Sequence, residues 1–232
     1  MTSLQVVAEG LSFPEGPRWH NGYFYFSDFY RHSVFRIGAG GALETVAEVP
    51  TQPSGLGWLP DGRMLIVSMT DRKLLRQEAG GSLVEHANLY DLAAYHCNDM
   101  VVDAAGGAYV GNFGFNSHGG EAPREGNLIR VSPTGAVSVA AEGMAFANGS
   151  VITLDSKTLI VGETRGNRLS AWDIASDGGL FNRRVWADLG KSFPDGICLD
   201  VEGAIWVADP RNNETIRVAE GGDVLQRIST GD

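Results

Sequence analysis

Apolar residues in this chain come in short runs separated by turns rich in Gly, Asn, Asp and Pro. The runs Tyr23-Phe24-Tyr25-Phe26, Met64-Leu65-Ile66-Val67, Thr158-Leu159-Ile160-Val161 and Ala204-Ile205-Trp206-Val207 are continuous rather than alternating, as expected of strands buried on both faces. Each run sits inside a repeated script. A polar residue opens an apolar strand, and a turn such as His20-Asn21-Gly22 or Pro60-Asp61-Gly62 leads into the continuous run. A polar stretch leads to a third strand, and a Gly turn (Gly80-Gly81, Gly178-Gly179, Gly221-Gly222) to a fourth. Five such units follow one another from about residue 13 onward. Four short strands per unit, repeated, predict an all-β propeller of antiparallel blades, five of them recognisable, in a single domain over residues 1–232. The only helical candidate is one weak turn over residues 88–95. Residues 4–8, Leu-Gln-Val-Val-Ala, resemble the fourth strand of a blade and are expected to belong to an incomplete sixth. The longest insertion, residues 111–127, carries Phe113, Phe115, Asn116, His118 and Glu121. It is expected either to overhang the channel mouth as a lid or to be a plain surface excursion.

The residue that opens each unit is polar in every copy: Glu15, Ser54, Asn98, Asn148 and Asp195, spaced 39, 44, 50 and 47 residues apart. Three lie between Pro and Gly, as Pro14-Glu15-Gly16, Pro53-Ser54-Gly55 and Pro194-Asp195-Gly196. In a propeller the first strand of each blade lines the central channel, so these residues should gather near one mouth. Oxygen donors converging on one axis suit a hard divalent cation. The plainer reading of each is a turn or capping residue, and Ser54 is expected to have no chemical role.

Composition narrows the function. The net charge of -10 leaves no basic stripe for nucleic acid. No apolar run is long enough to span a membrane and the N-terminus lacks signal-peptide character, so a cytoplasmic protein is expected. Cys97 and Cys198 lie at no motif spacing, and Cys97 is expected to pack rather than react. Neither a Walker loop, nor a Gly-x-Ser-x-Gly elbow, nor a His-Glu-x-x-His motif is present.

The stretches Phe13-Pro14-Glu15-Gly16-Pro17-Arg18-Trp19, Asn98-Asp99-Met100-Val101-Val102-Asp103, Ala147-Asn148-Gly149 and Phe193-Pro194-Asp195-Gly196-Ile197-Cys198-Leu199-Asp200 resemble the gluconolactonase/regucalcin (senescence marker protein) family of six-bladed propellers. The resemblance covers nearly the whole chain, with most of the sixth blade lacking. It implies a divalent metal, calcium first, with zinc, magnesium and manganese as alternatives. By position the metal ligands fall on Glu15, Asn148 and Asp195. Asn98 matches a position that binds metal in some members and substrate in others, and His96 matches a substrate-contacting position.

The expected reaction is hydrolysis of a sugar lactone or related cyclic ester. The metal would polarise the carbonyl and Asp195 would act as general base toward water. His96 or Asn112 would orient the substrate, and Phe113 and Phe115 would cover its apolar side. His96 reads equally well as a channel-wall residue. Asp28, Glu163 and Asp209, which end the second strands, are expected to make structural hydrogen bonds. Two readings stand beside the hydrolase: a non-catalytic propeller with a structural calcium and a protein-binding face, or a truncated inactive fragment. An open blade edge would favour homo-oligomers.

Overall fold

The computed structural model describes residues 5–117 and 119–231. Among them lie five antiparallel four-stranded sheets, one per repeat unit. The first blade contains β1 (Pro14–His20), β2 (Tyr23–Asp28), β3 (Ser33–Ile37) and β4 (Leu43–Glu48). The second has β5 (Pro53–Trp58), β6 (Met64–Ser68), β7 (Lys73–Gln77) and β8 (Leu83–Asn88). The third has β9 (Cys97–Val102), β10 (Ala108–Asn112), β11 (Gly126–Val131) and β12 (Val137–Met144). The fourth has β13 (Ala147–Ile152), β14 (Thr158–Glu163), β15 (Arg168–Ile174) and β16 (Leu180–Asp188). The fifth has β17 (Ile197–Leu199), β18 (Ile205–Asp209), β19 (Glu214–Val218) and β20 (Val224–Ser229).

The continuous apolar runs are explained by packing between blades. Along β6, Met64 and Ile66 pack toward the first blade with Tyr25 and Val34, while Leu65 and Val67 pack toward the third with Met100, Val110 and Ile129. Along β14, Leu159 and Val161 meet Tyr109, Leu128 and Trp172, and Ile160 meets Ile205, Val207 and Ile216. Side chains still alternate faces with the strand period of two, but both faces are dry. Each fully buried Leu, Ile or Val contributes about 1.5–3 kcal/mol relative to exposure.

Three local expectations change. Residues 5–12 form no strand: Ala8 and Leu11 pack on Phe26, Phe35 and Ile37, covering one face of the first blade, while Val6 and Val7 stay exposed. Leu4 lies outside the described residues. No helix forms over residues 88–95, because the turn stops after the Leu92 and Ala93 amides reach the Leu89 carbonyl. The insertion is shorter than expected. Strand β10 continues to Asn112 and β11 begins at Gly126, leaving a loop over residues 113–125; His118 lies outside the described residues.

The innermost strands pack in the order β1, β5, β9, β13, β17. Backbones approach closely there. A Cβ on Gly55 would lie 2.5 Å from the Met100 nitrogen, and one on Gly149 would collide with the Ile197 nitrogen. Gly196 holds the same position in the fifth blade, yet a Cβ there meets nothing within 4 Å. Blade five does not pack on blade one in the same way. A cleft of about 340 Å³ separates them, with Pro14, Pro17 and Arg18 on one wall and Cys198, Trp206 and Thr215 on the other. Among the described residues, no helix is long and apolar enough to cross a membrane.

Candidate active site at the channel mouth

The polar register sits where the inner strands lose regular pairing. Ladder register shifts between Glu15 and Arg18, between Pro53 and Leu56, opposite Val110 and Asn112 for β9, and between Ala147 and Ser150. A bulge kinks a strand and re-aims its side chains. Asp195 lies just before β17, fixed by its N–H donating to the Ala208 carbonyl and by its own carbonyl accepting from Gly149 of the fourth blade. Glu15, Asn98, Asn148 and Asp195 thereby line one cavity of about 350 Å³. Residues up to 180 positions apart meet there, as the repeat requires.

The electrostatics of this cavity are unusual. Burial pushes the Glu15 carboxyl up to about 8, with the Asp195 and Asp99 charges adding to the effect. Burial also raises Asp195, and the Asp99 charge raises it further, against a hydrogen bond from Asn148. Neither carboxylate has an ion pair among the described residues. Arg18 approaches but binds Asp99 at 2.6 Å. The amide nitrogens of the two asparagines are committed: Asn98 Nδ2 donates to the Ala147 carbonyl (3.2 Å) and Asn148 Nδ2 to Thr164 Oγ1 (3.1 Å). Their Oδ1 atoms are the donors left for a ligand. Two crowded carboxylates and two amide oxygens are a donor set that fits a hard divalent cation.

Aromatic residues wall the cavity. Phe113 lines it and stacks on Phe146, ring centroids 4.4 Å apart. His96 lines it as well, stacked on Tyr95 at 4.0 Å. Two expected substrate contacts lie elsewhere. Asn112 is fully buried and absent from the lining, with Nδ2 bound to the carbonyl and Oδ1 of Asn127 and its own Oδ1 accepting from Gly114. Phe115 is also buried and packs edge-on against Phe146 at 6.2 Å, supporting the wall from behind. Ser54 is buried, its carbonyl held by Ser27 Oγ at 2.6 Å. Cys97 is fully buried, and burial lifts its thiol to about 12, which makes it inert. Asp28, Glu163 and Asp209 all cap loops: Asp28 accepts from the Ser12, Phe13 and Arg31 amides, Glu163 from Ala145, and Asp209 from Asn212.

Sequence reasoning missed a second ring. The residue two positions before each polar register residue is Phe13, Gln52, His96, Phe146 or Phe193. The first four line the central cavity, and Phe193 lines the one next to it. The shared offset is visible in the sequence, but the strand period does not by itself say which way these side chains face, because the backbone is not extended throughout. Gln52 and Phe146 hold φ of 66° and 67°, values that bulky L-residues rarely adopt.

The family model described as "SMP-30/Gluconolactonase/LRE-like region" matches residues 13–232. The chain belongs to this family. It is 29% identical over 162 residues to lactonase drp35 of Staphylococcus saprophyticus, covering 64% of this chain and 47% of that protein. It is 31% identical over 143 residues to regucalcin of Gallus gallus, covering 60% of this chain and 48% of that protein. The chain thus spans about half the length of these curated relatives. Among solved structures, a calcium-binding regucalcin from Agrobacterium tumefaciens superposes with a TM-score of 0.82 at 23% identity, over 97% of this chain and 77% of that one. That likeness places the fold.

Proposed function

We propose that this protein is a metal-dependent hydrolase of small sugar lactones or related cyclic esters. The observation that carries the reading is the convergence of Glu15, Asn98, Asn148 and Asp195 on one cavity in a member of the SMP-30/gluconolactonase family. Its relatives include a protein named as a lactonase. Glu15, Asn148, Asp195 and Asn98 would hold the cation, calcium first, with zinc, magnesium and manganese as alternatives. Bound there, it would supply Lewis-acid polarisation of an ester carbonyl.

The chain's own residues supply the rest. Asp195 is the general base toward water; beside the cation its proton affinity would fall, and the cation would compensate by acidifying the water. Asn148 orients Asp195 through its hydrogen bond and is itself held by Thr164, whose hydroxyl donates to the Pro194 carbonyl at 2.7 Å. His96 contacts the substrate's hydroxyls, and Phe113 with Phe146 excludes water from one side of the ring.

The test is lactone hydrolysis followed by proton release in metal-stripped protein, with calcium, magnesium, manganese or zinc restored. Metal-dependent turnover that is lost in Glu15→Gln and Asp195→Asn supports the reading. Metal-dependent thermal stabilisation without turnover on any lactone would instead favour a structural cation.

A further inference from the structure

Beside the central cavity lies a second one of about 320 Å³, sharing Ser117 and Phe146 with it. Its remaining walls are Thr164, Arg165, Phe193 and Arg211, with no carboxylate among them. The two arginines occupy equivalent places. Each stands two residues after the acidic residue that ends the second strand of its blade, Glu163 in the fourth and Asp209 in the fifth.

These two cations differ from the chain's other arginines. Arg18, Arg36, Arg63, Arg76, Arg124, Arg130, Arg168, Arg183, Arg184, Arg217 and Arg227 each hold a carboxylate within 4.0 Å. Arg31 and Arg72 donate to backbone carbonyls. Among the described residues, the guanidinium groups of Arg165 and Arg211 make no hydrogen bond or ion pair. They rest on aromatic rings instead: Arg165 on Phe115 at 4.9 Å and Phe146 at 6.0 Å, Arg211 on Phe193 at 4.6 Å. A ring face steadies a guanidinium without consuming its N–H donors. Both side chains are exposed, so in the free protein water meets their donors, and in a chain of net charge -10 the pair stays available to an anion entering the cavity they line.

We propose that Arg165 and Arg211 form an anion subsite, and that the preferred substrate is a lactone carrying a carboxylate or phosphate remote from its ring ester. This rests on the hydrolase reading and deepens it. The ester sits among Glu15, Asn148 and Asp195. The charged end passes Phe146 to the arginine pair, which fixes which end of the substrate faces the base. The shared chemistry is a tetrahedral or planar oxyanion that bidentate guanidinium groups bind well.

The experiment compares kcat/KM for gluconolactone, its 6-carboxylate counterpart and its 6-phosphate counterpart, in the full chain and in Arg165→Gln and Arg211→Gln. Arg184→Gln, on outer strand β16, removes the same charge at a distance. The expected result is a preference of about tenfold or more for a charged lactone. It should collapse toward unity in both mouth variants, persist in Arg184→Gln, and weaken with rising salt. Which charged lactone is favoured tells carboxylate from phosphate. No preference, or a preference untouched by either mouth variant, overturns the subsite while leaving the hydrolase standing. If no lactone is turned over, calorimetric titration of glucarate and 6-phosphogluconate against gluconate reads the subsite directly. Tighter binding of these two probes, each carrying a second anionic group, that is lost in both variants sustains it, and equal binding overturns it.

Discussion

Arg18 Nη2 in the first blade lies 2.6 Å from Asp99 Oδ1 in the third, spanning the second blade entirely. The same guanidinium donates to the Met100 carbonyl at 2.8 Å, and Asp99 also accepts the Met100 amide at 2.8 Å. The Asp99 side chain is only 8% exposed, and Arg18 is its ion-pair partner. Removing one member of a buried pair leaves an uncompensated charge. Arg18→Gln is expected to lower the unfolding free energy by about 3 kcal/mol at neutral pH. Adding Asp99→Asn to that variant should restore a large part of the loss. Urea denaturation of the two variants decides it, and an unchanged midpoint in Arg18→Gln would refute the role.

Glu15 gives a pH signature in metal-stripped protein. Its carboxyl titrates near 8 when folded and near 4.5 when unfolded, so the folded state binds more protons between those values. Stability from this group is therefore full below pH 4.5 and declines as pH rises toward 8. Glu15→Gln should flatten that slope, and calcium should release a proton on binding. Thermal midpoints from pH 5 to 8.5 would show the decline; a wild-type profile matching Glu15→Gln would contradict it.

The inner-strand glycines should respond unequally to a single methyl group. Gly55→Ala forces a carbon against Met100 and Asp99, and Gly149→Ala against Ile197 and Asp195. Each is expected to cost about 2–4 kcal/mol, since backbone cannot yield as a side-chain tip can. Gly196→Ala meets open space and should change stability by less than about 1 kcal/mol. Equal losses at all three positions would mean the cleft beside Gly196 is filled in solution.

Glu163 is fully buried and holds the strand entry to the aromatic wall. Its oxygens accept from Arg168 and Arg183 at 3.0 Å each, and from the Ala145 amide at 2.8 Å, one residue before Phe146. Burial raises its proton affinity, but the Arg168 and Ser170 hydrogen bonds outweigh that, leaving a net downward shift. Its contribution is therefore present above the ordinary carboxylate range and is lost as pH falls through the lowered folded value. Glu163→Gln is expected to destabilise by about 3 kcal/mol at neutral pH and by less under acid, as followed by the denaturation midpoint at the two pH values.

The blades were legible because their signals are local. Turns such as His20-Asn21-Gly22 and runs such as Met64–Val67 specify strands whatever surrounds them. The gathering of Glu15, Asn98, Asn148 and Asp195 in one cavity followed from the repeat. Where the strand at residues 4–8 was expected, Ala8 and Leu11 instead bury themselves on Phe26 and Ile37, an apolar contact that no local pattern announces. Asn112 and Phe115 were misplaced for a related reason. Spacing cannot show that an asparagine spends its amide on Asn127 or that a phenylalanine turns behind its neighbour. Phe146 was legible in principle, two residues ahead of Asn148, but only once the bulge geometry gives that offset a direction. The orphaned donors of Arg165 and Arg211 had no sequence signal at all, since they are defined by which partners are absent.

The cleft between β1 and β17 gives this ring two ends, with Glu15 on the first blade and Asp195 on the fifth. Among the described residues, the inner strand of each terminal blade packs chiefly on one neighbouring inner strand where those of the middle three pack on two, so these five blades behave in part as a linear stack of nearest-neighbour interfaces, with the Arg18–Asp99 pair as a tie across one of them. A cation gripped by both carboxylates would be a clasp as well as a reagent. Its affinity would include the work of holding the ends together, and anything that loosened the outer blades would weaken the site without touching a ligand.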